Sequence, residues 1–210
     1  MAVNKIVIVG CGPGARSCIT LEALEEINSA EMVLGTARLL KLFPEIKAER
    51  VVIRGYRQEA INTLQKYEGK HIALLVTGDP GLASLSSAVI AHFGISSCRV
   101  LPGISSVQVA FARVGLSWEG SRVISAHATQ PTYDVATLAN ENSIAVLTGN
   151  AASLQWIASL ARTFGEKWRI VVAQNLTLSS ERVFECDADE LESLTAPLRA
   201  VVLLLRKGKA

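Results

Sequence analysis

The sequence predicts an α/β protein of two domains, residues 1–112 and 113–210, each built on a mostly parallel sheet, with a cleft between them. Three observations lead there. Short apolar runs alternate with stretches of helical periodicity through the first half of the chain, the pattern of a parallel sheet covered on both faces. A second series of such runs follows Val114-Gly115-Leu116. The 210 residues are 50% hydrophobic and only 5% aromatic, enough aliphatic material to fill two cores.

Taken in order, residues 5–9 read as the first strand. Residues 20–30 form a helix with Leu21, Leu24 and Ile27 on one face, Thr20 as N-cap and Glu22 in the first turn. Further strands fall at 32–34, 51–53, 71–76 and 99–101, with helices at 59–67 and 85–93 between them. In the second half, strands are expected at 123–126, 144–147, 170–173, 182–185 and 201–205. A long helix covers 152–164, closed by Gly165.

Charge and composition narrow the function. The net charge is +2, with 11 basic and 9 acidic residues up to position 110 and 10 of each after it. No basic stripe forms, so nucleic acid is not an expected partner. The longest apolar runs, such as 201–205, fall far short of the roughly 20 residues that cross a bilayer. The N-terminus reads as a buried strand rather than a secretion signal, and the expected location is cytoplasmic. The four cysteines form no C-x-x-C pair and the three histidines are scattered, so reduced thiols and no metal site are expected.

Gly10-Cys11-Gly12-Pro13-Gly14-Ala15 follows the first strand and satisfies the spacing of the dinucleotide-binding fingerprint. A nucleotide-binding oxidoreductase is therefore the competing reading. Two features weigh against it. The helix begins near Thr20, too late to point its amides at a pyrophosphate in the turn. The second strand ends in Leu34-Gly35-Thr36, where an acid would be needed for the ribose.

Two further turns sit at strand ends: Thr77-Gly78-Asp79-Pro80-Gly81, and Pro102-Gly103-Ile104-Ser105-Ser106-Val107-Gln108 leading into an apolar helix. Each alone is an ordinary loop. Together and in this order, over nearly the whole chain, they resemble the tetrapyrrole methylase family. Within it the chain is similar to the subfamily that methylates C5 of a precorrin. The marks are Ala110-Phe111-Ala112-Arg113-Val114-Gly115-Leu116-Ser117-Trp118, then Ser125-Ala126-His127, Val146-Leu147-Thr148, Gln174-Asn175-Leu176 and Glu181-Arg182. Departures from the subfamily pattern are Ala128-Thr129 after the histidine, Gln174 and Thr177 around Asn-Leu, and Leu82-Ala83-Ser84 after Gly81.

The resemblance implies the tetrapyrrole methylase fold and an S-adenosylmethionine-dependent transfer of a methyl group to C5 of a precorrin, cobalt-precorrin-7 first among the candidates. Another carbon of a precorrin or uroporphyrinogen is the alternative. It implies that Gly78, Asp79 and Leu82 meet the methionyl part of the cofactor, that Ser105 and Ser106 supply donors, and that Leu147, Thr148 and Leu176 wall the adenosine. Gly12, Pro13 and Gly14 would face the tetrapyrrole, a small-residue turn that leaves glycine amides for its carboxylates. Arg16, Arg38 and Arg113 are candidates for the same carboxylates, and His127 for a general base. A homodimer is expected, as is a separate enzyme for the C15 methylation and decarboxylation, since 210 residues leave no room for that domain.

Overall fold

The computed structural model describes residues 6–127, 131–195 and 199–208; Lys5, with which the first predicted strand opens, lies outside them. The chain divides into two compact units, residues 1–105 and 106–210. The first holds β1 (Ile6–Gly10), α1 (Leu21–Ser29), β2 (Met32–Gly35), α2 (Ala37–Leu40), β3 (Glu49–Val52), α3 (Arg57–Lys66), β4 (Ile72–Val76), α4 (Ser86–Phe93) and β5 (Cys98–Leu101). Its sheet runs β3-β2-β4-β1-β5, every pair parallel.

Alternation along the strands sends side chains to two cores. Val7, Val9, Val33, Ala73 and Leu75 face Ala23 and Ile27 of α1 and Leu39 of α2. Ile6, Ile8, Leu34, Leu74 and Val76 face Ala60 and Leu64 of α3 and Val89 of α4. Each such side chain, fully buried, contributes about 1.5–3 kcal/mol. The division has a functional consequence. Neighbouring β1 and β4 send their following helices to opposite faces, which opens a crevice outside their carboxyl ends, the usual place for a ligand in an open α/β sheet.

Helix α1 begins as expected, with the Thr20 hydroxyl accepting from the Ala23 amide at 3.2 Å. Its buried side differs in part from the expected one. Leu21 is 78% exposed, while Ile27 is buried and Leu24 packs part-buried against the core as expected, and Ala23 and Glu26 join them on the inward side. Strand β3 starts two residues earlier than its apolar letters suggest, because an edge strand with exposed residues carries little apolar signal.

The second unit opens with α5 (Ser106–Arg113), all of which but Arg113 the expected boundary at 112/113 places in the first. It continues with β6 (Arg122–Ala126), α6 (Val135–Ala139), β7 (Ser143–Thr148), α7 (Ala151–Phe164), β8 (Trp168–Gln174), β9 (Arg182–Cys186), α8 (Ala188–Ser193) and β10 (Ala200–Arg206). The sheet order is β6-β7-β10-β8-β9. Only β6 and β7 run parallel; β10 pairs antiparallel with both β7 and β8, and β8 with β9. The expectation of mostly parallel strands therefore holds for the first sheet and not for this mixed one. The link from Gln174 to Arg182 is too short for the dozen or more residues of a parallel crossover. Strand β10 is buried along nearly all its length, and such an apolar run reads alike in either direction.

Three short helices carry too few residues to show a helical period: α2, α6 and α8. Their caps are legible, however. Asp134 accepts from the amides of Ala136 and Thr137, and Asp187 with Glu190 forms a reciprocal capping box. Among the described residues, no helix is long and apolar enough to cross a membrane.

Candidate active site

Three turns meet at the carboxyl edge of the first sheet. Gly12 and Gly78 bridge the turns after β1 and β4, the Gly78 amide donating to the Gly12 carbonyl at 2.8 Å and the Gly12 amide to the Gly78 carbonyl at 3.3 Å. The turn after β5 packs against both. A methyl carbon added at Gly103 would lie 2.4 Å from the Gly78 carbonyl oxygen and 2.8 Å from that of Gly10. Glycine at position 103 is thus a packing requirement between backbones. The structure brings Gly12, Gly78, Asp79 and Ser105 to one edge, with Pro13, Gly14 and Leu82 in the same turns. It also corrects one expectation: the Gly12 amide is already committed to Gly78, so it does not stand free for a substrate carboxylate.

Asp79 ties two of these turns together. One carboxylate oxygen accepts from the Gly81 amide at 2.7 Å and the other from the Gly103 amide at 3.1 Å. The Asp79 carbonyl accepts from the Leu82 amide at 3.1 Å, which holds Leu82, half-buried, against the turn. Two hydroxyls, Ser84 and Ser86, donate to the Pro80 carbonyl; the sequence marks Ser84 only as a departure from the subfamily pattern and Ser86 only as part of the helix 85–93. Beside this locked turn the backbone is open, for a carbon added at Gly78 would meet nothing within 4 Å.

In the second sheet, β6, β7 and β8 point the same way, so their carboxyl ends share one edge with the start of β10. His127 follows β6, Leu147 and Thr148 end β7, and Leu176 follows β8. His127 is exposed and directs Nδ1 at the Thr148 carbonyl, 3.2 Å away. A carbonyl only accepts, so Nδ1 carries the proton and Nε2 of the neutral ring is left to accept. Gly149, missed in the sequence, permits this arrangement: a carbon added there would lie 2.1 Å from the His127 carbonyl oxygen. The Thr148 hydroxyl donates to the Ala200 carbonyl at 2.9 Å, leaving its methyl group as an apolar surface. Ser106 is half-buried as the first residue of α5. Ala128 and Thr129 lie outside the described residues.

The loop after β8 is held in an unusual backbone conformation. Asn175 and Thr177, on either side of buried Leu176, have φ of 49° and 69°. Ala83, next to Leu82, has φ of 47°. These three are the only non-glycine residues with positive φ among the described residues, and all adjoin positions expected to meet the cofactor. Left-handed backbone costs an ordinary residue about 1–2 kcal/mol and is rare for a β-branched one. Such strain clusters at functional sites. It gives a physical reason for the glycine of the subfamily pattern at position 177, from which Thr177 departs at a conformational cost.

Of the three candidate arginines, two pair with carboxylates of the chain itself. Arg16 binds Glu45 through two nitrogens, pulling the Glu45 carboxyl down to about 2. Arg113 binds Glu181 in the same two-pronged fashion, and Glu181 is held below the ordinary carboxylate range by Arg113 first and by the Thr177 amide second. Arg38 stands at the carboxyl edge of the first sheet and donates to the Thr77 hydroxyl at 2.7 Å. Nearby Cys11 is fully buried, its thiol pushed up to about 12 by burial, so it is chemically inert.

Comparisons with known proteins give the family. The model of the Tetrapyrrole (Corrin/Porphyrin) Methylases matches residues 5–192. A cobalt-precorrin-7 C(5)-methyltransferase of Salmonella typhimurium is 30% identical over 179 residues, 85% of this chain and 88% of that protein. The solved precorrin-6Y methylase of Archaeoglobus fulgidus aligns with a TM-score of 0.76 at 25% identity, over 98% of this chain and 100% of that one. Uroporphyrin-III C-methyltransferase of Thermus thermophilus, solved with S-adenosylhomocysteine, aligns with a TM-score of 0.75 at 21% identity, over 96% and 97% of the two chains, and so shares the fold. With the family match running from β1 into α8, and the ordered glycine turns gathered at the carboxyl edge of the first sheet, the chain belongs to the tetrapyrrole (corrin/porphyrin) methylases, enzymes that take their methyl group from S-adenosylmethionine.

Proposed function

We propose that the chain methylates C5 of a precorrin, cobalt-precorrin-7 being the substrate form, in cobalamin biosynthesis. The observation that carries this reading is the 30% identity to the Salmonella C(5)-methyltransferase across 85% of the chain. Bound S-adenosylmethionine supplies an electrophilic methyl carbon, which leaves without its bonding pair. A carbon of the electron-rich macrocycle provides the pair for the new bond, and sulfur keeps the old one.

The residues present suit that cofactor. Asp79, anchored on two backbone amides, places a fixed negative charge beside the open backbone at Gly78, where a sulfonium and its methionyl chain gain from it. Ser105 and Ser106 offer hydroxyl donors for the carboxylate or ribose, and Leu147, the Thr148 methyl and Leu176 an apolar wall for adenosine. Gly12-Pro13-Gly14 gives the tetrapyrrole a small-residue turn to approach, with Gly12 serving by its lack of a side chain. The chain's main contribution is alignment and exclusion of water, for which effective molarities reach roughly 10⁵ M. His127 accepts a proton at Nε2 if one must leave after the new bond forms. A homodimer belongs to the same reading, to be checked by light scattering.

Incubating the protein with S-adenosylmethionine and a panel of precorrins tests the assignment, with product mass and methyl position read by mass spectrometry and NMR. Methylation at C5 is expected. A methyl group placed on another ring carbon would move the chain to a different step of the same chemistry.

A further inference from the structure

The segment 175–177, in the loop that runs to Glu181, carries a strained backbone that its own three residues do not relieve. Two non-glycine residues, one of them β-branched, hold left-handed backbone on either side of Leu176. Such a segment relaxes towards ordinary φ values unless something outside it holds it. The loop's ends are tied, Asn175 by its amide to the Arg199 carbonyl at 2.9 Å, and Glu181 by its amide to the Leu178 carbonyl at 2.9 Å. A third bond, from the Leu178 amide to the Asn175 carbonyl at 3.0 Å, closes a turn over Leu176 and Thr177, and none of the three reaches the Thr177 amide.

Glu181 does. Its Oε2 accepts the Thr177 amide, and the same carboxylate grips the Arg113 guanidinium from the last residue of α5, with Nε at 2.5 Å from Oε1. The carboxylate is thereby held from the helix side while it holds the loop. Charge-assisted bonds of this kind are among the stronger ones available, and the two-pronged arginine fixes direction as well as distance. The Glu181 carboxyl is held below the ordinary carboxylate range because Arg113 and, after it, the Thr177 amide favour the ionised form.

We propose that Glu181 is a positioning residue for the cofactor: by accepting the Thr177 amide and the Arg113 guanidinium together, it holds Leu176 in the conformation that meets the adenosine. Arg113 is then a support for that carboxylate rather than a ligand for the substrate. The inference rests on the reading of Leu176 as an adenosine contact given under the proposed function.

The test is a double-mutant cycle read by calorimetry with S-adenosylhomocysteine and by steady-state kinetics. Glu181→Ala removes the acceptor and is expected to weaken S-adenosylhomocysteine binding and raise the KM for S-adenosylmethionine about tenfold, with kcat at saturating cofactor within about twofold. Glu181→Gln keeps a neutral acceptor for Thr177 and should fall between. Thr177→Gly removes the conformational demand, so in the Glu181→Ala background it should restore affinity to within about threefold of the unmodified protein, while changing little on its own. Affinities are compared at a temperature where all four proteins of the cycle are fully folded, so that rescue by glycine reports the loop conformation and not a gain in global stability. Unmodified protein that binds, with a Glu181→Ala variant that binds equally well or is not rescued by Thr177→Gly, overturns the positioning role alone. Unmodified protein without affinity for S-adenosylhomocysteine overturns the cofactor reading and this proposal with it.

Discussion

Asp79 reaches from the turn after β4 to the turn after β5, its carboxylate accepting the Gly103 amide at 3.1 Å while also closing its own turn on the Gly81 amide at 2.7 Å. One side chain therefore sets the spacing of two of the three turns at the crevice. The charge expected to face the cofactor is the same group that shapes the crevice for it.

Replacing Asp79 by alanine should cost both stability and binding. Losing hydrogen bonds to a charged group typically costs about 1.5–3 kcal/mol, and we expect a loss in that range in urea denaturation. S-adenosylhomocysteine affinity should fall with it. Asp79→Asn keeps an acceptor and should lose less of each. An alanine variant with unchanged urea midpoint would show that the turns hold their spacing without the carboxylate.

Gly149→Ala should disturb His127 without touching it. The added carbon would sit 2.1 Å from the His127 carbonyl oxygen, so the ends of β6 and β7 must separate, at about 1–3 kcal/mol. The measurable sign is an altered His127 ring resonance in NMR together with a lower denaturation midpoint. Identical spectra would mean that the two strand ends part at no cost.

At His127 the question is whether proton transfer limits the reaction. Methyl transfer to an electron-rich carbon needs no base in the bond-forming step, and the ring is held by Thr148 through Nδ1. His127→Asn should therefore lower single-turnover methyl transfer by less than about tenfold, with cofactor affinity kept. General-base catalysis instead predicts a loss of about 10²–10⁴ and disappearance of the limb of the pH profile that the base imposes. A thousandfold drop with both ligands still bound would assign the histidine that role.

Thr177→Gly should stabilise the protein despite the greater freedom of the unfolded chain. The left-handed conformation costs a non-glycine residue about 1–2 kcal/mol, against roughly 0.5–1 kcal/mol for glycine's extra entropy. A small net gain, up to about 1 kcal/mol, is expected in denaturant titration. A clear loss of stability would mean that the threonine side chain contributes contacts outweighing the strain.

Acid should loosen two ion pairs in a defined order of sign. Glu45 stands at about 2, held by Arg16, and Glu181 stands below its ordinary value, held by Arg113. A carboxylate depressed in the folded state adds stability above its unfolded pKa of about 4.3 and loses it as pH falls through the folded value. The thermal midpoint should thus be insensitive to these groups from pH 7 to about 5 and decline below. Glu181→Gln should make that decline shallower, and added salt should shrink the difference, since both pairs are exposed. Parallel decline in the two proteins would remove Glu181 from the acid response.

Much of this chain could be read locally. Nine of the ten strands lie where short apolar runs mark them, because a strand covered by its sheet's core needs little beyond β-prone apolar residues between turns, and the exposed edge strand β3 is only half marked. The ordered glycine turns were equally legible, since few residues besides glycine let backbones touch. Tertiary structure alone decided which strands pair and in what direction, and that made the second sheet mixed. It also decided that the Gly12 amide bonds to Gly78, that Asp79 answers Gly103, and that Arg113 is engaged by Glu181, 68 positions away. The strain at Thr177 belongs to the same class. A residue's own letters state what it can donate, accept or bury, but which partner it meets depends on contacts between segments distant in the chain, and these exist only once both sheets have formed.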